Sequence, residues 1–212
     1  FLNLPSAHDM VQDYDLILRL TEKTNEIFHI PKILYHWRAI PGSTAEEYSA
    51  KAADNASLKA LTDALRRRSI KGSVEKGTYN SLFRVKREIL TNPRVSIIIP
   101  TKDQVELLKD CVESILNKTD YQNYEIVIVD NNSTHKNTIE YFAKLIENRR
   151  IKLLPYVKPF NFSAINNYAV SKVDSEVVIF LNNDIEVKSS EWLSAMVEHI
   201  QRKEVGVVGA KL

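Results

Sequence analysis

The sequence predicts an α/β fold: a mostly parallel sheet with flanking helices, preceded by a smaller, mainly helical segment. Three mainly apolar runs, at 95–99, 124–129 and 177–181, indicate strands buried on both faces, as strands are in parallel sheets. Segments with apolar residues at helical spacing separate these runs, and the links between them are short. Such alternation of strand and helix is typical of a parallel sheet with right-handed crossovers.

The regular part of the chain begins after Pro93. Its first strand leads into a helix for which Asp103, together with Glu106, is predicted to be the cap. The other predicted elements, in chain order, are the strand at 124–129, a helix around 139–146, a weak strand at 151–154, a helix opened by Asn161, the strand at 177–181 and a helix capped by Ser190.

The first part of the chain gives weaker signals. A helix is predicted at 11–20, and short strands are predicted at 26–30 and 32–37. The residues at 43–46 form a capping box that opens a long helix. That helix ends in three arginines at 66–68, whose charge complements the negative end of a helix dipole.

Residues 71–93 are predicted to be a basic linker between a domain at 1–70 and a domain at 94–212. From Arg66 to Arg94 the chain carries nine Lys or Arg residues against two acids. A basic stretch of this kind can contact nucleic acid or anionic lipid. No nucleic-acid-binding motif accompanies it, so the sequence favours a solvated linker without a nucleic-acid partner. Peripheral membrane contact through the linker stays open.

Length, charge and cysteine content set broad limits. The chain has 212 residues, 44% of them hydrophobic, and a formal net charge of +2, which fits one or two globular domains. Its single cysteine, Cys111, excludes an internal disulfide framework and favours a reducing, cytoplasmic compartment. No apolar run approaches the ~18 residues of a membrane span. Because the chain starts at Phe1 without a Met and stops at Leu212, we expect a piece of a longer protein.

Polar residues follow three of the predicted strands: Thr101-Lys102-Asp103, Asp130-Asn131-Asn132 and Asn182-Asn183-Asp184. The carboxyl ends of parallel strands lie at one edge of the sheet, where open α/β sheets bind their ligands. Each cluster alone has a structural alternative, because such residues also form helix caps and polar turns. Three clusters on successive strand ends favour a shared binding site.

Any phosphate at this edge would be bound without a glycine-rich loop. The five glycines form neither G-x-x-x-x-G-K-[ST] nor G-x-G-x-x-G, which are the usual phosphate-binding loops. A carboxylate beside amides, as in the third cluster, suits a hard divalent cation that also holds phosphate oxygens. The sequence therefore predicts that a metal at Asp184 neutralises the phosphate charge.

Four motifs occur in a consistent order. They are Val95-Ser-Ile-Ile-Ile-Pro-Thr-Lys-Asp103, Glu125-Ile-Val-Ile-Val-Asp-Asn-Asn-Ser133, Pro159-Phe-Asn-Phe-Ser163 and Phe180-Leu-Asn-Asn-Asp-Ile-Glu-Val187. Together they resemble family 2 glycosyltransferases of the GT-A, Rossmann-like fold, in particular bacterial enzymes that build surface polysaccharides. The resemblance covers residues 94–212.

The resemblance implies a nucleotide-diphosphate sugar donor and a divalent cation, Mn²⁺ or Mg²⁺. Asp184 would bind the cation that bridges the diphosphate. Asn182 stands where the family carries the first Asp of its Asp-x-Asp motif, so the chain departs from the family there. The residues that the resemblance assigns to the nucleoside, the ribose or the donor sugar are Thr101, Asp103, Asp130, Ser163 and Asn182.

The first part of the chain resembles the other end of the same family's domain. Gln12-Asp13-Tyr14-Asp15-Leu16 looks like the acceptor-side motif whose Asp is the general base, which implies Asp13. The segment at 29–38 looks like the one that follows, whose His completes the metal shell, which implies His36. From the residues alone, an Asp at a helix start is more often a dipole partner, and a lone His among aromatics is more often a core side chain.

The order of these motifs is unusual. Within one domain of this family the metal motif precedes the base, whereas here Asp13 precedes Asp184. We therefore expect the tail of one transferase domain, a basic linker and the head of a second domain. The alternative is that the tail folds back onto the head and completes one site.

The implied function is inverting, metal-assisted transfer of a sugar to a growing or lipid-linked saccharide in cell-surface polysaccharide biosynthesis, at the inner face of the plasma membrane if the linker binds lipid. A nucleotidyltransferase-like enzyme is a second possibility, although the Gly- and Arg-rich triphosphate loop that it needs is not visible. A non-catalytic carbohydrate- or partner-binding module is a third. It would bind nucleotide sugars not at all, or independently of metal.

Overall fold

The computed structural model describes residues 11–36, 50–79 and 81–210, and within that range the side chains of 50–52 are excepted. The chain divides into two compact units, Phe1–Glu88 and Ile89–Leu212, which we call the first and the second unit. None of the described helices combines the length and the apolar character needed to span a bilayer.

The first unit contains two helices, α1 (Gln12–Leu20) and α2 (Ala50–Arg67), which confirms the two helices predicted for this part. They share a small apolar cluster in which Val11, Ala53 and Ala60 are buried. At the carboxyl end of α2, Arg67 forms an ion pair with Glu22 at 2.9 Å, so the terminal arginines also fasten α2 to the residues after α1. The capping box predicted at 43–46 lies outside the described residues.

The strands predicted at 26–30 and 32–37 are wrong in their described part. Residues 24–36 form neither helix nor strand, and most of their apolar side chains are exposed, Phe28 to 88%. A strand needs a neighbour to accept its backbone hydrogen bonds, and within the described residues none pairs with this segment. Trp37, the last residue of the second predicted strand, lies outside the described range.

The stretch predicted as a basic linker contains an antiparallel hairpin of β1 (Gly72–Lys76) and β2 (Phe83–Arg87). A side chain at Gly72 would collide with the backbone of the opposite strand, which explains the glycine. Asp54 of α2 accepts a hydrogen bond from the Ser81 amide at 3.0 Å, so the hairpin is attached to α2. A short ribbon rich in Lys and Arg lacks the apolar alternation from which strands are predicted.

The second unit has an α/β fold built on a parallel four-stranded sheet in the order β5-β4-β3-β6. This architecture confirms the fold class predicted from the sequence. Its elements are β3 (Val95–Thr101), α3 (Val105–Lys118), β4 (Tyr124–Asp130), α4 (Lys136–Leu145), β5 (Ile151–Pro155), α5 (Phe162–Val170), β6 (Val177–Phe180) and α6 (Trp192–Ile200).

The two central strands have apolar side chains on both faces of the sheet. Ile97 and Ile99 of β3 lie in the larger core cluster with residues of α3, α4 and α6. Ile98 of the same strand lies in the smaller cluster with Ile165 and Ala169 of α5. Because successive side chains of a strand point to opposite faces, two covered faces require the uninterrupted apolar runs seen in the sequence.

The prediction that 177–181 is buried on both faces is wrong. Strand β6 is an outer strand that pairs with β3 alone among the described residues. Its side chains are only partly buried, and Phe180 is 51% exposed. The apolar run therefore marks a strand correctly, but not its place in the sheet.

Two predicted helix caps also differ from the structure. The residue before α3 is Gln104, in the left-handed conformation with φ 52°, and no side chain caps this helix. Asp103 instead uses its carboxylate outside the helix, where it accepts the amide of Thr134. Helix α6 begins after Glu191 and not directly after Ser190, again without a side-chain cap. By contrast, the prediction that a helix opens at Asn161 is confirmed, and the Asn161 side chain caps α5 by accepting the amide of Ala164 at 2.9 Å.

Candidate donor site at the edge of the sheet

The strand order places a crevice between the carboxyl ends of β3 and β6. From β3 the chain proceeds outward through β4 and β5 on one side, and it then returns to form β6 on the other side. In open α/β sheets, ligands bind where the strand order reverses in this way. Thr101 ends β3, Asp130 ends β4, and Asn182 to Asp184 follow β6, so all three predicted clusters lie at this edge.

Thr101 connects the three clusters. It is paired with Asp130 in the register of β3 and β4, and its carbonyl oxygen accepts the amide of Asn131 at 2.8 Å. Its hydroxyl oxygen accepts a hydrogen bond from the side-chain amide of Asn183 at 3.1 Å, across the crevice. The sequence identified the third cluster but assigned no separate role to Asn183, whose contact depends on the tertiary structure.

Asp103 and Asp130 are linked through Ser133. The Ser133 hydroxyl donates to Oδ1 of Asp130 at 2.5 Å, and its oxygen accepts the backbone amide of Asp103 at 2.8 Å. Ser133 is the last residue of the second motif, and the motif alone gave it no role. Its hydroxyl holds the ends of two strands in one arrangement, so we count it among the site residues.

The carboxylate of Asp103 is stabilised in its ionised form. Its Oδ1 accepts the backbone amides of His135 and Thr134, each at 2.9 Å. The pKa of Asp103 is lowered, first by the hydrogen bond from the His135 amide, and further by that from Thr134 and by the charges of His135 and Lys102. These effects outweigh the partial burial of the carboxyl group, which raises its pKa. A carboxylate that is ionised at neutral pH is an acceptor for ligand hydroxyl groups.

The backbone at this edge is strained. Asp103, Gln104 and Asn132 have φ values of 53°, 52° and 62°, in the left-handed region. This conformation is uncommon for residues other than glycine, although Asp and Asn tolerate it best. Strain of this kind collects at ligand-binding sites, where the surrounding structure holds it in place. Here the hydrogen bonds of Ser133 and Asp103 do so.

The third motif leads to the same edge through the loop after β5. The buried side chain of Asn131 donates to the carbonyl oxygens of Tyr156 and Lys158, at 3.0 and 2.9 Å, and fixes the path of this loop. Helix α5 follows and packs against β3 and β4. Ser163 is an exposed residue of its first turn. The structure thus places Ser163 at a helix amino terminus that follows the carboxyl end of β5.

Asn182 and Asp184 lie in a short turn beyond β6, and both side chains are exposed. Within the described residues there is no group of three or more His, Cys, Asp or Glu side chains that could hold a metal ion. A single carboxylate therefore fits a cation only if the ligand supplies further oxygens. Mg²⁺ is commonly held in this manner, by one or two carboxylates, substrate phosphates and water.

The two residues assigned to the acceptor side lie in the first unit. Asp13 is an exposed residue in the first turn of α1, and His36 is an exposed residue of the irregular segment at 24–36. The buried carboxylate of this helix is Asp15, which pairs with Arg19 at 2.8 Å and with Arg67 at 3.8 Å. The exposure of Asp13 is therefore compatible with a role as general base, whereas Asp15 is paired with two arginines.

A comparison with family models identifies the class of the second unit. Residues 96–212, more than half of the chain, match the model described as glycosyl transferase family 2. The chain belongs to glycosyl transferase family 2, as its motifs predicted.

Two curated relatives extend over almost the whole chain. An uncharacterized protein, y4gI, of Sinorhizobium fredii is 44% identical over 206 residues, which are 95% of this chain and 23% of that protein. The O-antigen biosynthesis protein RfbC of Myxococcus xanthus is 38% identical over 210 residues, which are 99% of this chain and 16% of that protein. The chain therefore spans less than a quarter of the length of these relatives.

Among solved structures, the fold is similar to that of a mannosyltransferase, PcManGT, of Pyrobaculum calidifontis, solved in complex with GDP-Man and Mn²⁺. The TM-score is 0.51 and the identity 20%, over 76% of this chain and 45% of that one. This similarity supports the GT-A architecture of the sheet and its helices.

Proposed function

We propose that the second unit binds the nucleotide-diphosphate sugar donor of a glycosyltransferase that extends a cell-surface polysaccharide. The observation that carries this proposal is the hydrogen-bonded cluster of Thr101, Asp103, Asp130 and Ser133 at the crevice of a family 2 domain. The O-antigen role in the name of the Myxococcus xanthus relative supports a polysaccharide as the product.

In this proposal the strand ends bind the nucleoside. Thr101, Asp103 and Asp130 offer oxygen acceptors to ribose hydroxyl groups and to the base, and the backbone amides of Thr134 and His135 hold the Asp103 carboxylate in place. Ser163, in the first turn of α5, lies where helix amides favour a negatively charged oxygen. Asn182 contacts the ribose or the donor sugar.

Asp184 would hold a divalent cation, Mn²⁺ or Mg²⁺, together with oxygens that the donor supplies. Such a cation would offset negative charge on the departing diphosphate. Support comes from the position of Asp184 beside the crevice and from the Mn²⁺ present in the PcManGT complex. His36 lies in the first unit, and it is proposed to complete the metal shell of the transferase domain to which that unit belongs.

Asp13 is proposed to accept the proton of the acceptor hydroxyl as it attacks the donor sugar. Attack from the side opposite the leaving diphosphate inverts the anomeric carbon. The acceptor is a growing or lipid-linked saccharide. We propose that Asp13 and Asp184 serve different domains of a longer tandem protein, so that this chain alone has little or no transferase activity. Folding of the first unit back onto the second is the alternative, and measurable turnover by the isolated chain would support it.

The hairpin of the first unit is proposed to contact anionic lipid. Tyr79 and Leu82, between its strands, are 73% and 55% exposed, and both strands carry basic residues. An exposed apolar tip beside cations suits a membrane surface. Co-sedimentation with anionic vesicles, and not with neutral ones, is expected, and its loss in a Tyr79→Ser, Leu82→Ser variant would identify the tip as the contact.

The test of the donor site is calorimetric titration of the chain with UDP, dTDP and GDP, each with and without Mn²⁺. We expect one nucleotide to bind, more tightly with Mn²⁺. Asp184→Ala should reduce the gain from Mn²⁺ by about tenfold or more, because even indirect contacts to a metal are worth about tenfold in affinity. Asp174→Ala, which removes an exposed carboxylate before β6, is the matched control.

The outcomes separate the candidate functions. Binding that depends on Mn²⁺ and on Asp184 supports a transferase donor site. Nucleotide binding that ignores both would favour the non-catalytic module, and no binding to any of the three nucleotides would contradict the donor site in this chain. The family assignment already disfavours a nucleotidyltransferase.

A further inference from the structure

One face of α3 holds the loop that carries Asp184. The loop, residues 182–187, follows β6 and forms hydrogen bonds with three polar side chains of α3: Cys111, Ser114 and Lys118. Their spacing of three and four residues places them along one side of the helix. Cys111 and Ser114 are buried, and Lys118 is partly exposed.

The contacts grip the loop on both sides of Asp184. Before it, the carbonyl oxygen of Asn182 accepts the Cys111 thiol at 3.7 Å. After it, the amide of Val187 donates to the Ser114 hydroxyl oxygen at 3.0 Å. Lys118 donates to the Val187 carbonyl oxygen at 2.9 Å and to Oε1 of Glu186 at 3.0 Å. Between these anchors, Asp184 itself is exposed.

The Ser114 hydroxyl has only one way to make its contacts. Its proton is donated to the carbonyl oxygen of Cys111 at 2.8 Å, so its oxygen must accept the Val187 amide. Val187 is only 6% exposed, so without Ser114 its amide would have little access to water as a hydrogen-bond partner. The end of the loop is therefore bound to α3 in one geometry.

We propose that Lys118 and Ser114 are positioning residues for the Asp184 carboxylate, and that they set how much a divalent cation strengthens nucleotide binding. The inference rests on the proposed function, because it gives Asp184 the metal. A loop tied at both ends presents its carboxylate in one place before the ligand arrives, which reduces the ordering cost of binding. Without Lys118 the loop keeps its Ser114 and Cys111 contacts but loses those at the Glu186 carboxylate and the Val187 carbonyl oxygen.

The experiment measures the ratio of the nucleotide dissociation constants without and with Mn²⁺, for the nucleotide that the wild-type chain binds. Lys118→Met keeps the length of the side chain and removes its charge. We expect the ratio to fall by about tenfold, while the affinity without Mn²⁺ changes less than twofold. Lys109→Met removes the same charge from an exposed position of α3 that makes no hydrogen bond to the loop among the described residues. It should leave the ratio unchanged.

A double-mutant cycle tests whether Lys118 acts through Asp184. In the Asp184→Ala background, Lys118→Met should cause no further loss of the ratio, because the carboxylate that it positions is gone. Lys118→Arg should restore part of the ratio. Amide exchange of residues 182–188, measured without any ligand, should be faster in Lys118→Met than in Lys109→Met.

The contrary results are distinct. If the wild-type ratio is one, the proposed function fails and this inference falls with it. If the wild-type ratio is large but Lys118→Met leaves it unchanged, or lowers the affinity equally with and without Mn²⁺, only the positioning role is overturned. An equal loss in the wild-type and Asp184→Ala backgrounds would also overturn it.

Discussion

The two units differ in how firmly they hold the residues that the family motifs assign to chemistry. In the second unit, strand register and hydrogen bonds join Thr101, Asp103 and Asp130 into one cluster. In the first unit, Asp13 is an exposed residue of a nine-residue helix, and His36 lies in an irregular segment with exposed apolar side chains. The motif residues are thus fixed by hydrogen bonds in the second unit, whereas those of the first unit are exposed.

The difference follows from the elements that carry the residues. Parallel strands end at one edge of a sheet, so residues that follow them converge wherever the sheet forms. A helix face and an irregular segment have no such constraint, and their arrangement depends on what packs against them. The second unit therefore brings its candidate site residues together within one fold, whereas the residues assigned to the acceptor side lie exposed in the first unit.

The largest expected effect concerns the cores of the two units. Ile128→Ala removes a fully buried side chain from β4, and should lower the free energy of unfolding of the second unit by about 2–5 kcal/mol. Val11→Ala, in the small cluster of the first unit, should cost about 1–2 kcal/mol. Amide exchange of peptides from each unit during a urea titration measures both.

Ile139→Ala is the matched control, because Ile139 is 48% exposed on α4. Its effect should stay within about 0.5 kcal/mol. If Ile128→Ala cost no more than Ile139→Ala, the sheet would not be the stable frame of the site, and the contrast between the units would be lost.

A second, smaller effect separates two carboxylates of the same helix. Asp13 and Asp15 both lie in the first turn of α1, so each contributes similarly to the helix dipole. Only Asp15 is buried and paired with Arg19 and Arg67. Asp15→Ala should therefore cost about 1.5–3 kcal/mol in the free energy of unfolding of the first unit, and Asp13→Ala about 0.5 kcal/mol.

The measurement is again amide exchange of α1 peptides. A result in which Asp13→Ala destabilises the unit as strongly as Asp15→Ala would make Asp13 a structural residue and weaken its assignment as the base. The expected result leaves Asp13 as a carboxylate whose presence the fold of the first unit does not require.

The sequence predicted the second unit well because its signals are local. Each apolar run marked a strand, and helical spacing marked the helices between them. The apolar run could not show that β6 is an outer strand. Phe180 is half exposed because, in the described sheet, β6 has a neighbouring strand on one side only, and strand order is not a local property of the sequence. The hairpin of the first unit was missed because its strands pair through charged residues such as Glu75 and Arg84.

The same division applies to the candidate site. Thr101, Asp130 and Asp184 were predictable as residues at or just beyond the ends of strands. The links between the clusters were not, because the contacts of Ser133 and Asn183 join residues 30 and 82 positions apart in the chain. Asp103 was given the role of a helix cap because its sequence position fits one, but its carboxylate binds amides of the neighbouring loop. Non-local pairing of this kind leaves no pattern in the sequence.

The smallest effect tests how tightly the strand ends of the second unit are coupled. The hydrogen bonds from His135 and Thr134 lower the pKa of Asp103 in the folded chain. A carboxyl group with a lowered folded pKa stabilises the fold above its unfolded pKa of about 3.9, and this contribution is lost as the pH falls through the folded value.

Asp103→Asn keeps a residue that tolerates a positive φ but removes the charge, so its melting temperature should lie slightly below that of the wild type at pH 6. The difference should narrow as the pH falls from the unfolded pKa through the lower folded pKa, and Asp174→Asn, at an exposed position, should show no such change. A difference that persists at low pH would mean that Asp103 acts through its shape and not through its charge, and the cluster would then be a rigid turn and not an electrostatically prepared site.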